Sequence, residues 1–375
     1  MSQVAIKEVL SSKDFELFMD VAWTINKENP NWIPPLRLEQ KELFNPKVPF
    51  FKKARVKKWL ALKDGKIVGR IVGGVNEAHN EFHNEKCAFW GFFECINDLD
   101  VASALFKTVE EYARHEKMEL IRGPLNLSTN QECGLLIKGF DDPPQVMMIY
   151  NPPYYKDLIE ACGHSKAMDL HAWRMSTECD MPERIKKISE RKEKSEGITY
   201  RCVDMKNWEK EVELMFNIYN DAWEKNWGFV PMSKEEFQHM GKGLKMIIDP
   251  DLVVIVEVKG EAVGFLVALP DLHQALKQIP NGKLLPFGIF KFLARKKYIN
   301  RMRIITLGIR KAYQNSGLAP LLYTQITKIV HQKKMDQFKE VEMSWILETN
   351  TMMNRPLEMM GAEIYKNYRL FEKKI

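Results

Sequence analysis

The stretch with the clearest chemical capacity runs Ile304-Ile305-Thr306-Leu307-Gly308-Ile309, then Arg310-Lys311-Ala312-Tyr313-Gln314-Asn315-Ser316-Gly317-Leu318-Ala319. An apolar, β-branched run ends, a polar loop follows, and helix-forming residues begin near Gly317 or Leu318. Small residues at Gly317 and Ala319 let a ligand approach the backbone closely. The first N–H groups of such a helix have no acceptor and point outward, and the helix dipole adds partial positive charge. Together they make a cradle for a pyrophosphate. Pro320 fits the first helical turn, where its missing N–H costs nothing. Arg310 and Lys311 offer further phosphate contacts.

Other chemistry is weaker. His79-Asn80-Glu81-Phe82-His83 spaces two imidazoles four apart but lacks the Glu directly after the first His that HExxH requires. It reads as a polar connector between strands, and no metal site is expected. Residues 283–303 mix aromatic and basic side chains. They are expected to form a helix lying on the sheet with a basic outer face, its apolar side carrying Phe287, Phe290 and Leu293. Arg295, Lys296 and Lys297, near the phosphate loop in sequence, are candidate phosphate contacts, and a membrane surface or a long acyl chain is the alternative use of the apolar side.

Composition bounds the rest. The chain has 375 residues, and Lys+Arg 56 against Asp+Glu 50 leaves +6, spread along its length. That excludes a dedicated DNA-binding protein, which would gather its charge into a patch or tail. No run of about 18 uncharged apolar residues predicts a membrane span, and the N-terminal residues carry no secretory pattern. Six scattered cysteines without a CxxC pair predict reduced thiols and a cytoplasmic location.

The elements that must position the loop recur. In the first half, aromatic-rich helical residues 15–27 precede two apolar runs joined by Lys63-Asp64-Gly65-Lys66, a hairpin signal. A strand (88–95), a helix (101–117) and a strand (120–127) follow. The second half repeats the order: helix 208–227, a hairpin turning at Lys259-Gly260-Glu261, strand 303–309, helix 318–332 and strand 341–347. The charge-dense segment 183–197 separates the halves. An α/β protein of two tandem domains follows, with residues 1–182, a connecting helix or linker 183–197, and residues 198–375.

Gln314-Asn315-Ser316-Gly317-Leu318-Ala319 satisfies R/Q-x-x-G-x-G/A through its Gln and Ala options, and in this setting resembles the GNAT superfamily of N-acetyltransferases. Asn350 precedes Gly361 by the family's eleven residues, with Ala362 in place of an aromatic, and residues 363–371 suit the closing strand. The likeness covers roughly 198–373. The whole chain is similar to bacterial tandem-GNAT proteins through Asn31-Trp32-Ile33-Pro34-Pro35-Leu36, Gly91-Phe92-Phe93-Glu94, Gly123-Pro124-Leu125-Asn126, Asn151-Pro152-Pro153-Tyr154-Tyr155 and Asn226-Trp227-Gly228-Phe229.

The resemblance implies two GNAT-like domains, each a mixed central sheet flanked by helices. It implies a C-terminal domain that takes acetyl-CoA or another acyl-CoA and acylates a small-molecule or peptide amine. Leu307, Gly308 and Ile309 would lie beside the pantetheine arm, and Gln314, Asn315, Ser316, Gly317, Leu318, Ala319 and Asn350 would complete the cofactor site. The family's thiolate-protonating tyrosine stands seven residues after its Asn, where this chain has Leu357. Tyr365, Tyr323 or a water are the substitutes, and Glu348 is the candidate base. The first half has Asn97-Asp98-Leu99-Asp100 where the loop belongs. Asp98 or Asp100 should cap the helix there, so no coenzyme A is expected in that domain. A tRNA-dependent aminoacyl transferase and a non-catalytic coenzyme A-binding scaffold are the alternatives, and a duplicated chain favours a monomer.

Overall fold

The computed structural model describes residues 3–375, which form two compact units. In chain order come β1 (Val4–Glu8), α1 (Ser12–Asn26), α2 (Arg37–Leu43), β2 (Ala54–Lys63), β3 (Lys66–Asn76), α3 (Glu77–His83), β4 (Cys87–Cys95), α4 (Leu99–His115), β5 (Leu120–Gly123), β6 (Leu135–Lys138), α5 (Tyr155–Ala161) and β7 (Ser165–Ser176). There follow α6 (Glu183–Glu193), β8 (Ile198–Cys202), α7 (Trp208–Trp223), α8 (Lys234–Lys245), β9 (Val253–Val258), β10 (Glu261–Pro270), α9 (Leu272–Leu276), α10 (Gly288–Leu293), β11 (Arg301–Ile309), α11 (Leu318–Gln332), β12 (Glu340–Leu347), α12 (Thr351–Met359) and β13 (Glu363–Lys374).

The first unit comprises Met1–Leu170, Leu276–Phe292 and Lys366–Ile375. Its strands run in the order β1-β2-β3-β4-β5, with the end of β13 beside β5. Only β4 and β5 are parallel, joined by α4 as a crossover. The hairpin between β2 and β3 turns at Asp64 and Gly65, both at positive φ, the backbone that matches the strands' twist. Helix α4 turns Val101, Leu105, Phe106, Val109 and Ala113 inward at helical spacing, onto a core with Trp90, Ile121, Tyr155 and Phe371.

Within this core His164 is 3% exposed, its ring 4.6 Å from Phe106 and 5.6 Å from Trp90, with both ring nitrogens unpartnered. Burial, with Lys373 nearby, pushes its imidazole down to about 3. The unfolded chain takes up this proton below about pH 6.5 and the native state does not. Stability is therefore complete above that pH and falls as pH drops toward 3. At pH 5 this single group should cost about 2 kcal/mol. His164→Phe should shrink the difference between the unfolding free energies at pH 7 and pH 5, read from urea denaturation, by that amount.

The second unit comprises His171–Ala275 and Leu293–Tyr365. Its strands run β8-β9-β10-β11-β12, antiparallel except for β11 and β12, which α11 joins. The same hairpin grammar returns at Lys259 and Gly260, again both at positive φ. Mixed α/β is thus the class of both units.

The division differs from the expected 1–182, 183–197 and 198–375. Strand β7 begins in the first unit and ends in the second, and the last ten residues return to the first because Phe371 to Lys374 pair with Gly123 to Leu120. The segment expected as a connecting helix or linker contains the helix α6, which belongs to the second unit. Ile185 and Ser189 are buried and Glu193 pairs with Lys328 at 2.7 Å. A helix with so narrow an inward face carries nearly the charge of a tether. Among the described residues no helix is long and apolar enough to cross a membrane.

Candidate active site

In the second unit, β11 and β12 stay paired only from Arg301/Glu340 to Ile304/Met343. Both strands continue, to Ile309 and Leu347, without pairing to each other. The backbone edge of Ile305 to Gly308 therefore opens into a fork. A bulge starts it: Val267 and Ala268 on β10 face Thr306 and Ile304, leaving Ile305 as the extra residue. The bulge brings Thr306 to the same face as Arg303, and its buried Oγ1 has no partner.

At the mouth of the fork the loop folds tightly. Gln314 Nε2 donates to the Ile309 carbonyl at 3.1 Å and to that of Ala222 at 3.4 Å, and Ser316 Oγ donates to Tyr313 O at 2.5 Å. Asn315 and Gly317 adopt positive φ, 67° and 85°. Gly317 is the N-cap of α11, no side chain caps the helix, and Pro320 sits in its first turn. The N–H groups of Leu318 and Ala319 face the loop without an intrahelical acceptor.

Some assignments from the sequence change here. Arg310 is bound to Glu261 at 2.5 Å and Lys311 to Glu224, so these cations brace the loop. Gly308 turns its α-carbon to the Trp223 ring. A Cβ there would sit 2.5 Å from it, so this glycine serves helix packing on the face of α7. Gly317 has Ile188 and Lys192 of α6 beside it, at 3.1 and 3.3 Å from a built Cβ. A bulky residue at 317 would thus disturb α6 as well as any ligand. Lys192 was missed because its segment reads as a tether. It is half-buried along this loop, and among the described residues no carboxylate lies within ion-pair distance of it. Asn350 caps α12, accepting from Met353 N at 3.2 Å, and Leu357 is fully buried core.

The base of the fork holds a polar cluster that the sequence reading also missed. Glu342, 0% exposed, accepts hydrogen bonds from Ser344 Oγ and the Tyr365 hydroxyl. Arg303 Nε is 3.3 Å from Glu342 and donates to Ser344 Oγ at 2.7 Å, and its Nη2 donates to Ser344 O at 2.9 Å. The Arg174 guanidinium lies 4.7 Å from the Tyr365 ring centre. Charges inside strands that otherwise read apolar, Arg303 in one and Glu342 in the next, were the available signal. Glu348 stands in the turn after β12, half-buried. Six strand residues, about 20 Å, separate it from Glu342, so the two candidate acidic groups occupy opposite ends of the fork.

Met302, Ile304, Val341 and Met343 alternate to the other face, toward α11. There they line an apolar pocket with Met175, Met181, Met360 and Tyr323. Burial pushes the Tyr323 hydroxyl upward, keeping it neutral.

The first unit has no comparable opening. After Phe89/Arg122 the chain beyond β5 stays on β4: Leu125 N donates to Trp90 O at 2.7 Å, and Phe92 N donates to Asn126 Oδ1 at 3.0 Å. Asp98 caps α4 through the Asp100 and Val101 N–H groups and pairs with Lys63. Residues 79–83, expected as a polar connector between strands, lie in the helix α3, which joins β3 to β4. His79, Glu85 and Cys87 put their ligand atoms within 4.8 Å of one another. Arg122 already holds Glu85 at 3.0 Å, and burial pushes the Cys87 thiol up to about 12 and His79 down to about 4.

No family model matches the chain. Protein YghO of Escherichia coli (strain K12) is 36% identical over 380 residues, covering 100% of this chain and 96% of that protein. Bacterial ceramide synthase of Caulobacter vibrioides (strain NA1000 / CB15N) is 34% identical, covering 99% and 98%. Among solved structures, a tandem GNAT protein from the clavulanic acid biosynthesis pathway matches with a TM-score of 0.58 at 10% identity, over 99% of this chain and 98% of that one. With end-to-end relatives at this identity, the chain belongs to the family of Protein YghO and bacterial ceramide synthase, and its fold is that of a tandem GNAT protein.

Proposed function

We propose that the protein is an acyl-CoA-dependent N-acyltransferase, taking a long-chain acyl thioester and a long-chain amine in the fork between β11 and β12. The observation that carries this reading is the fork itself, two strands parting after Ile304/Met343 beside an uncapped helix N-terminus. The uncapped N–H groups of Leu318 and Ala319, with Lys192 alongside, suit a pyrophosphate. The open edge of Ile305 to Gly308 suits the amides of a pantetheine arm, and the orphaned Thr306 hydroxyl awaits a partner. Five strand residues, roughly 16 Å, would carry that arm from the loop to the base of the fork.

The thioester would supply the acyl group. As its carbon joins the amine nitrogen, the carbon–sulfur bond breaks and one proton must travel from nitrogen to sulfur. Tyr365 would give its proton to the sulfur, and Glu342 would pass the proton from the amine back to the tyrosine oxygen. Arg303 and Ser344 hold Glu342 in place for this. The sequence reading favoured acetyl, but an acetyl group would leave the methionine-lined pocket idle. That pocket adjoins the last paired residues, and its flexible methionine lining would have to move apart to admit a chain. A relative named bacterial ceramide synthase supports the same reading, since a ceramide is the amide of a fatty acid and a long-chain amine.

The test is release of free thiol from palmitoyl-CoA on addition of a long-chain amine, with the amide identified by mass spectrometry. Amine-dependent release that falls steeply when acetyl-CoA is substituted is the expected result. Release from acetyl-CoA alone would contradict the chain length, and none from either would contradict the reaction. Lys192→Ala should weaken acyl-CoA binding about tenfold at low salt, less at high salt, as measured by calorimetry.

A further inference from the structure

Between Asp271 and Asp336 the chain contains no acidic residue. Residues 283–297 carry five of its basic side chains (Lys283, Lys291, Arg295, Lys296, Lys297) in a protein whose total is only +6. The expected helix lying on the sheet with its apolar side inward does not form. The segment makes a tight turn and the short α10, with Leu285 75%, Phe287 75% and Phe290 67% exposed. Leu293 follows in the chain at 65%. Lys283 and Lys291 are exposed in the same stretch, and Lys296 and Lys297, also exposed, follow it in the chain.

This projection is held, not loose. Trp23 Nε1 donates to Pro280 O at 2.9 Å, Arg37 N to Gly282 O at 2.9 Å, and Arg37 Nε to Asn281 O at 3.1 Å. The Arg37 guanidinium stacks 4.2 Å from the Trp23 ring. Gly282, at φ 65°, comes so close that a Cβ would lie 2.4 Å from Pro35 O. Leu284 and Phe292 pack inward on Ile33, Leu276 and Ile279. With those two turned in, the backbone must present Leu285, Phe287 and Phe290 outward.

We propose that this knuckle docks the protein on the surface of an anionic phospholipid bilayer. The apolar side chains would enter the acyl boundary, and the lysines would meet the headgroup phosphates. The charge pattern selects this occupant. A second copy of the chain would bring the same positive segment against its own kind, and a convex projection cannot enclose a single acyl chain. The inference does not depend on the proposed reaction and is tested without coenzyme A.

The experiment is co-sedimentation of the full chain with vesicles of phosphatidylcholine alone and of phosphatidylcholine mixed with phosphatidylglycerol. Wild type should pellet with the anionic vesicles and be released by high salt. Phe287→Ser/Phe290→Ser and Lys283→Glu/Lys291→Glu should each weaken binding by about tenfold or more. Because these side chains are exposed, both variants should melt as wild type does. Wild type left in the supernatant with anionic vesicles would overturn the proposal, as would equal binding by both variants. A concentration-dependent dimer in sedimentation velocity, dissolved by the phenylalanine variant, would assign the knuckle to self-association instead.

Discussion

Tyr365→Phe is expected to lower turnover by about 10²–10³-fold, the usual range for a lost proton-transfer group, while leaving acyl-CoA affinity within a few-fold. The change removes one hydroxyl. Glu342 keeps Arg303 and Ser344, and a phenylalanine ring still faces Arg174, so the melting temperature should hold. Glu342→Gln should also abolish turnover, with a different signature. It breaks the buried ion pair with Arg303, 4% exposed, and removing one partner of a buried pair costs about 3–5 kcal/mol. Stopped activity in a stable Tyr365→Phe protein, against stopped activity in a destabilised Glu342→Gln protein, is the pattern that assigns the proton to the tyrosine. A Tyr365→Phe protein with wild-type turnover would remove it from the reaction.

Gly91→Ala should destabilise the first unit by about 3 kcal/mol or more, at the upper end for added atoms in a packed interior. A Cβ on Gly91 would lie 1.9 Å from the Leu125 carbonyl oxygen. That carbonyl belongs to backbone fixed by Leu125 N to Trp90 O and by Asn126 to Phe92 N, so nothing can yield cheaply. The same substitution at Gly243 in α8, where nothing lies within 4 Å, should instead stabilise by about 0.5–1 kcal/mol through helix propensity. Opposite shifts of the urea midpoint are the expected result. Equal shifts would show that the segment after β5 does not seal β4 as described.

Sequence periodicity and turn chemistry carried most of the fold. Helix 318–332 has the expected bounds, and both hairpins turn at the residues that tolerate positive φ. Asp98 caps α4 as its position before an amphipathic run implies. The loop's course was also legible, because a glycine at a strand-to-helix turn has few alternatives. What stayed hidden depends on partners distant in sequence. Glu342 and Tyr365 meet only when three strands assemble, and Lys192 reaches Gly317 only because α6 folds back. Arg310 and Lys311 looked available to a phosphate until Glu261 and Glu224 claimed them. The return of Lys366–Ile375 to the first unit leaves no local mark, since strand propensity does not name a partner.

The central claim, that the fork of the second unit takes an acyl-CoA by its phosphates, rests on the N-terminus of α11. Ala319→Glu tests it with least damage. A carboxylate in the first turn favours the helix, so the fold should be as stable as wild type or more so, while its charge opposes a pyrophosphate. Calorimetric titration of both proteins with palmitoyl-CoA is the decisive measurement. Tight binding by wild type, weakened by about 30-fold or more in Ala319→Glu at an unchanged melting temperature, is the predicted result. Equal affinity in the two proteins would contradict the site.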